Sequence, residues 1–325
     1  MDEVLIGNML ASTLRLATPL LLCALAGLLA ERSGVVDIGL EGKMLFGAFA
    51  AGAAGAALGS TGIAVACAVG VAVSLSWTHG LACVSYRGDQ TVSGVAINII
   101  AAGLTMVLGI AWFSRGGQTP PVSGDVRIQA LWPEATQWFE GWPWLQAIVG
   151  EGLLSHNALV YVALVLVPAT WWLLFKTRFG LRLRAVGENP QMVDAAGVSV
   201  KGLRYAALTL NGVLCGLAGS YLVLAQSAAF SHNMTAGRGF MALAALIFGR
   251  WHPVGALWAC LLSCFLDAAS IRMHGTDYPL CVEVPVQANQ ALPFVLTVGL
   301  LAALIVKAVA HAHLGKPRAH ENKHQ

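Results

Sequence analysis

Long apolar segments separated by short polar stretches dominate the pattern of this chain. Segments of about twenty residues, folded as helices, match a hydrocarbon core of about 30 Å. A transmembrane β-barrel would instead show short segments of alternating polarity. We therefore predict an all-α, polytopic integral membrane protein with about nine transmembrane helices, at 8–30, 44–59, 61–85, 92–114, 157–175, 204–226, 238–250, 253–271 and 291–310.

The composition agrees with this class of protein. Only 11% of the 325 residues are charged, whereas soluble domains carry about 25%. A formal net charge of +3 does not indicate nucleic acid as a partner. The seven cysteines lie mostly singly in apolar segments, so we interpret them as packing residues and expect no metal and no cofactor. The first apolar segment leads into another span without a small-residue cleavage site, so we expect no cleavable signal peptide.

The charges of the loops predict the orientation of the chain. The loop at 176–204 has six basic residues against two acidic ones, and basic loops remain in the cytoplasm. The connection at 115–156 is more acidic and rich in tryptophan, which is typical of an external connection. We therefore expect one transmembrane domain at 1–310, with its amino terminus outside, and a basic cytoplasmic tail at 311–325.

The cytoplasmic loop contains signals for a short helix. Asn189 can cap the helix, Pro190 suits its first position, and Gly197 can end it. Such a short helix is not stable alone, but it is well shaped to fit a groove on a soluble partner. The alternative is an ordinary basic loop.

The order of segments indicates an inverted internal repeat. A long span, a polar glycine-containing stretch, a short span and two further spans occur at 8–114 and again at 204–310. The single span at 157–175 reverses the second copy. The polar stretches at 34–42 and 233–239 occupy matching positions, and paired glycine-interrupted segments of this kind point to the binding site of a transporter.

Small residues at intervals of four predict close helix packing. Two such stripes occur, Gly47, Ala51, Gly55, Gly59 and Gly212, Gly216, Ser220.

Several polar residues lie within or beside the apolar segments, and ionisable groups at that depth are functional candidates by default. Amides and hydroxyls suit a neutral, hydrogen-bonding solute. The alternative is interhelical hydrogen bonding, or pairing of Arg32 and Lys43 with the acids Glu31, Asp37 or Glu41 to hold a loop. The residues predicted to contact solute are Asp37, Glu41, Asn98, Asn233 and Arg238.

The chain contains no motif that could hydrolyse ATP. The pairs Gly42-Lys43 and Gly315-Lys316 lack the following Ser or Thr and the glycine spacing of a phosphate loop. No nucleophile elbow or clustered catalytic triad occurs either, so we expect no enzyme activity in this chain. If nucleotide drives transport, its energy must enter through the loop at 176–204.

Five stretches together resemble the bacterial ABC importer permeases of the branched-chain amino acid/simple-sugar superfamily. The resemblance covers roughly residues 10 to 310 and is closest to the shorter permease of nucleoside importers that use a basic membrane lipoprotein receptor. The stretches that carry it are 31–42 (ERSGVVDIGLEG), 89–94 (DQTVSG), 180–190 (GLRLRAVGENP), 194–197 (DAAG), and 233–240 (NMTAGRGF) with 247–251 (IFGRW).

This resemblance implies a type II ABC importer-like fold in a bacterial inner membrane. It also implies a cytoplasmic ATPase, a second and longer permease subunit, and an extracytoplasmic lipoprotein that binds the solute. At position 37 the family more usually has Asn, so Asp37 suits a neutral solute only if it is protonated or paired with Arg32 or Lys43. The residues that match the segment docking into the ATPase are Gly187, Glu188, Asn189, Asp194, Ala195, Ala196 and Gly197.

We expect a permease subunit for nucleosides, and three alternatives remain open. One is an ABC permease for ribose-like sugars or other small polar solutes. Another is an ion-coupled secondary transporter with Asp37 or Glu41 as the proton carrier. The third, an integral-membrane enzyme, is disfavoured because no catalytic residues cluster in the sequence.

Overall fold

The computed structural model describes residues 2–273, with the exception of 133, 135–138, 140 and 141. All the regular elements of this part are helices, which confirms the all-α prediction. The predicted span at 291–310 and the tail at 311–325 lie outside the described residues.

The helices follow one another along the described part with short connections, apart from the longer connection at 114–142. Short π-helical turns extend α3 over Leu81–Ser85, α5 over Gln146–Leu154 and α9 over Leu222–Ser227. The helices are α1 (Asp2–Arg32), α2 (Leu40–Leu58), α3 (Thr61–Gly80), α4 (Gln90–Phe113), α5 (Pro143–Leu145), α6 (Ala158–Lys176), α7 (Arg178–Glu188), α8 (Pro190–Ala195), α9 (Val200–Tyr221), α10 (Arg238–Phe248) and α11 (Pro253–Met273).

Six helical segments in the described residues are long and apolar enough to cross a membrane. They coincide with six of the predicted spans, and they confirm a multi-pass membrane protein. The count of nine is not confirmed. The six segments are Ile6–Arg32, Thr61–Ser85, Gln90–Phe113, Ala158–Lys176, Val200–Ser227 and Pro253–Ile271.

The two segments predicted to be short correspond to α2 and α10. Helix α2 begins at Leu40 rather than at residue 44, so it includes Glu41 and Lys43 in its first turn. The predicted start was too late because the charges of Glu41 and Lys43 excluded them from the apolar segment. Both charged groups have partners inside the protein. Helix α10 has 11 residues and is about 16 Å long, only half the thickness of the hydrocarbon core.

Helix α1 lies at the centre of the bundle. It contacts α6, α9, α10 and α11, and its side chains from Leu20 to Leu29 are almost completely buried. By contrast, α3, α4 and α6 carry large exposed apolar side chains, among them Ile99 and Val165. Outward-facing apolar side chains are expected for helices whose solvent is lipid.

The glycine stripe of α9 allows α2 and α3 to approach its backbone. A Cβ at Gly216 would lie 2.5 Å from the Cα of Val69 on α3. Gly216 also faces Gly47 of α2, because a Cβ added at Gly47 would lie 3.4 Å from the Cα of Gly216. Gly59, by contrast, ends α2 in the left-handed conformation (φ +62°) and has no packing neighbour within 4 Å. Three of the four residues of the α2 stripe are therefore available for packing, and the fourth is a helix terminator.

Candidate functional site

Residues 33–39 form a non-helical stretch between α1 and α2, and we call this stretch the first break. Gly34 turns the backbone with a φ of +82°, which a side chain at this position would disfavour. The buried hydroxyl of Ser33 donates to the carbonyl oxygen of Ala30 at 2.6 Å. Arg204 of α9 donates from Nε to the carbonyl oxygen of Ser33 at 3.2 Å. These contacts anchor the beginning of the first break.

Asp37 forms a completely buried ion pair with Lys43 across this break. Lys43 Nζ lies 2.5 Å from Asp37 Oδ2, and both side chains have no exposed surface. Asp37 Oδ1 also accepts the N–H of Gly39 at 3.1 Å. Lys43 donates further to Asn211 Oδ1 of α9 at 3.1 Å. Removing one partner would leave an uncompensated buried charge, which is costly.

Two helices extend this buried polar network. Asn211 accepts a hydrogen bond from the hydroxyl of Ser76 of α3 and donates to the carbonyl oxygen of Ala26 of α1, at 3.1 Å and 3.0 Å. His79 of α3 lies 3.1 Å from the carbonyl oxygen of Val36. The roles of Ser76 and His79 are not predictable from the sequence, because single polar residues in a long apolar segment give no local sign of their partners.

Asn98 of α4 holds the same stretch from the other side. Its Oδ1 accepts the N–H of Gly42 at 2.8 Å, and its Nδ2 donates to the carbonyl oxygen of Ile38 at 3.1 Å. A Cβ at Gly42 would lie 2.8 Å from the Cα of Asn98. Glycine is therefore required for this close approach of α2 and α4.

The second break, at residues 228–237, precedes α10 and meets the first break at Glu41. The Glu41 carboxylate accepts the N–H of Gly237 at 2.8 Å and the N–H of Gly239 at 2.5 Å. A Cβ at Gly239 would lie 2.6 Å from the Cα of Glu41. A carboxylate at a helix N-terminus is favourable because it accepts unpaired N–H groups and complements the helix dipole. The two glycine-containing stretches of the predicted repeat are thus joined directly.

The remaining two predicted solute residues lie on the second break and are more accessible. Asn233 is exposed and has a φ of +56°. Arg238, at the start of α10, is half-buried and donates from Nη1 to Gln226 Oε1 at 3.4 Å. Of the five predicted residues, Asp37, Glu41 and Asn98 therefore use their polar groups to hold the two breaks. Arg238 also has a contact within the protein, to Gln226.

The second candidate site is the surface formed by α7 and α8. Thr177 caps α7 by accepting the N–H of Gly180 at 3.1 Å, a cap that the sequence analysis overlooked. Gly187 packs against the carbonyl oxygen of Arg32 at the end of α1. The guanidinium of Arg184 lies 4.8 Å from the ring centre of Phe175 at the end of α6. Helix α7 is therefore seated on the ends of two membrane helices.

The predicted short helix is confirmed as α8. Asn189 Oδ1 accepts the N–H of Met192 at 3.2 Å, Pro190 occupies the first turn, and Gly197 has a φ of +76°. One side of α8 is buried through Val193, which packs with valines from α7 and α9. The other side is exposed and consists of Gln191, Met192, Asp194, Ala195 and Ala196.

A short path of contacts links the α7–α8 surface to α10. Arg32, on which Gly187 rests, donates to the carbonyl oxygen of Trp251, which follows α10. The indole N–H of Trp251 donates to the carboxylate of Glu31. Because the other end of α10 is capped by Glu41, a displacement of α7 can reach the junction of the two breaks through α1 and α10.

A family model described as the branched-chain amino acid transport system / permease component matches residues 9–307. The chain belongs to this family. This confirms the resemblance found in the sequence, and it identifies the chain as a transport component rather than a catalyst.

Several curated relatives cover nearly the whole chain. It is 37% identical to the guanosine ABC transporter permease protein NupQ of Bacillus subtilis, over 98% of both chains. It is 35% identical to the nucleoside ABC transporter permease protein NupC of Lactococcus lactis, over 95% of this chain and 94% of that one. A more distant relative is the autoinducer 2 import system permease protein LsrC of Klebsiella pneumoniae, 29% identical over 75% and 68%. No solved structure matches the chain significantly.

Proposed function

We propose that this chain is the transmembrane permease subunit of an ATP-driven importer for nucleosides. The observation that carries the proposal is the end-to-end similarity to permeases named for guanosine and for nucleosides. The importer would lie in the inner membrane of a bacterium and include an ATPase and a solute-binding lipoprotein. A second, longer permease subunit would form the other wall of the pathway.

The charge arrangement at the two breaks supports a neutral solute. Asp37 suits a neutral solute only if it is protonated or paired, and its pairing with Lys43 meets that condition. The N-terminus of α10, which could otherwise attract an anion, is occupied by Glu41. The accessible polar groups that remain are an amide and a guanidinium, on Asn233 and Arg238. Such groups can hydrogen-bond the base and the ribose of a nucleoside.

Within this proposal, the five predicted solute residues divide into two roles. Asn233 and Arg238 contact the passing solute. Asp37, Glu41 and Asn98 shape the pathway by holding the two breaks together.

Uptake competition in cells that express the complete importer tests the solute class. Unlabelled adenosine and guanosine should suppress guanosine uptake, whereas ribose and leucine should not. Stronger suppression by ribose would instead support a sugar permease.

The α7–α8 surface is proposed as the site that receives the motion of the ATPase. The residues of this site are Gly187, Glu188, Asn189, Asp194, Ala195, Ala196 and Gly197. The exposed apolar Met192, with the exposed polar residues Gln191 and Asp194 beside it, resembles the apolar anchor with a polar rim found at many protein interfaces. Helix α7 would transmit the push to α1 through Gly187, and from there to α10.

Co-purification tests the ATPase assignment. A tagged chain purified from its native membrane should carry an ATPase, and Glu188→Arg should remove it. Glu134→Arg is the matched control, because Glu134 is also exposed but lies in the connection between α4 and α5. Equal recovery of ATPase with both variants would contradict the proposed site. A chain that never co-purifies with an ATPase would favour an ion-coupled transporter.

A further inference from the structure

A polar cavity lies at the end of the bundle opposite to α7 and α8. Its volume is about 400 Å³, within the range of small-molecule sites. Arg15 of α1 lines it, and this residue precedes Arg32 by 17 positions, or about 25 Å along the helix. The other polar lining groups come from two segments of the connection between α4 and α6, one on either side of α5, and they are Arg127, Gln129, Ser155, His156 and Asn157.

Within the part of the chain that the structure describes, the lining is cationic and contains no carboxylate. Among the described residues, no ion pair within 4.0 Å involves Arg15 or Arg127. Arg15 Nε donates at 3.3 Å to the carbonyl oxygen of Ala11 in its own helix. Two arginines that share a cavity without an acid form a site for an anion.

His156 lies in the same cavity as Arg15. It is buried, and its Nε2 donates to the carbonyl oxygen of Gly152 at 3.0 Å. Burial lowers the pKa of His156, the hydrogen bond to Gly152 opposes this, and the Arg15 guanidinium lowers the pKa further. His156 is therefore neutral around pH 7 and adds no third charge.

The cavity lies beside aromatic side chains of the kind that are enriched at membrane surfaces. Trp132 is 43% exposed and packs edge-on against Tyr161, with ring centres 5.5 Å apart. The N–H of the neighbouring Leu131 donates to the carbonyl oxygen of His156 at 3.0 Å. Exposed Trp and Tyr are enriched at the level of lipid headgroups, so the two arginines lie near the depth of lipid phosphates.

We propose that this cavity binds a phosphate group. Arg15 and Arg127 supply charged donors, and the amides of Gln129 and Asn157 supply neutral ones. Arginine is suited to this role because its planar fork matches phosphate oxygens. The phosphate group comes from a phospholipid headgroup or from free phosphate in solution. The proposal does not depend on which solute the permease transports.

Native mass spectrometry and calorimetry of the full-length chain in detergent test the site. The probes are short-chain phosphatidylglycerol and inorganic phosphate, added separately. Arg15→Gln/Arg127→Gln should weaken binding of the effective probe roughly tenfold or more, because charged hydrogen bonds are removed. Arg115→Gln is the matched control, since Arg115 lies in the same connection but does not line the cavity. Arg127→Gln alone, at an exposed loop position, serves if the double variant does not fold.

The two probes separate the two sources of phosphate. Binding of phosphatidylglycerol that is lost in the arginine variants identifies a lipid site, whereas the same result with inorganic phosphate alone identifies a free-anion site. The proposal is overturned if neither probe binds. It is also overturned if the cavity variants bind as well as wild type and Arg115→Gln.

Discussion

Replacing Glu41 by Ala tests the junction of the two breaks most sharply. The substitution removes the acceptor for the N–H groups of Gly237 and Gly239, at 2.8 Å and 2.5 Å. Gly239 is buried and Gly237 is half-buried, so water replaces the lost contacts only in part. An unsatisfied buried donor costs about 1–3 kcal/mol, and we expect a total loss of about 2–4 kcal/mol.

The loss is measurable as a shift in thermal unfolding of the purified chain. In domains of 150–250 residues, 1 kcal/mol corresponds to about 2–4 °C, and on that scale the melting temperature should fall by about 4–16 °C. The melting temperature of Glu41→Gln should fall by less, because the amide oxygen still accepts one N–H. The dipole of α10 nevertheless loses its charged partner. Fluorescence-detected size-exclusion chromatography after heating provides the readout.

Asp89→Ala is the matched control for this prediction. Asp89 caps α4 by accepting the N–H of Val92 at 2.9 Å, but it lies at an exposed helix end. Loss of such a cap costs about 1 kcal/mol. If the melting temperature of Glu41→Ala equals that of wild type, or is no lower than that of Asp89→Ala, the Glu41 carboxylate does not hold the junction. A normal melting temperature with altered solute affinity in Glu41→Gln would instead identify Glu41 as a solute contact.

Three further predictions concern the ion pair, the glycine packing and the coupling helix. Asp37→Asn or Lys43→Met alone should destabilise the chain by about 3–5 kcal/mol, and the double variant should recover part of this loss in the same melting assay. Additive losses of the two single variants would contradict a stabilising interaction between Asp37 and Lys43. Gly216→Ala should cost about 1–3 kcal/mol by overpacking against α3, while Gly70→Ala, which meets no atom within 4 Å, should melt like wild type. Asn189→Ala should weaken α8 by about 0.5–2 kcal/mol and reduce the recovered ATPase without lowering the yield of the permease.

Local patterns predicted the helices well, since each depends on residues close in sequence. The short helix α8 follows from Asn189, Pro190 and Gly197, which act within a single turn of chain. Helix α7 was missed as a separate element because its alternating basic and apolar residues resemble a polar loop, although Thr177 was available as a capping signal.

The partners of charged residues could not be predicted in the same way. Glu41 is separated from Gly237 by 196 positions, and nothing near either residue specifies the other. The sequence therefore identified Asp37 and Glu41 as exceptional for their depth, but not whether they face solute or protein. Only the packing of α2 against α4, α9 and α10 decides that their polar atoms bond inward.

In our proposal, this chain transports nucleosides when a separate ATPase acts on the α7–α8 surface. The most direct test of this proposal is guanosine accumulation in proteoliposomes that contain the purified complex, with and without ATP on the ATPase side. We predict accumulation that requires ATP and is lost with Glu188→Arg but retained with Glu134→Arg. Accumulation by this chain alone on an ion gradient, without nucleotide or companion subunits, would contradict the account.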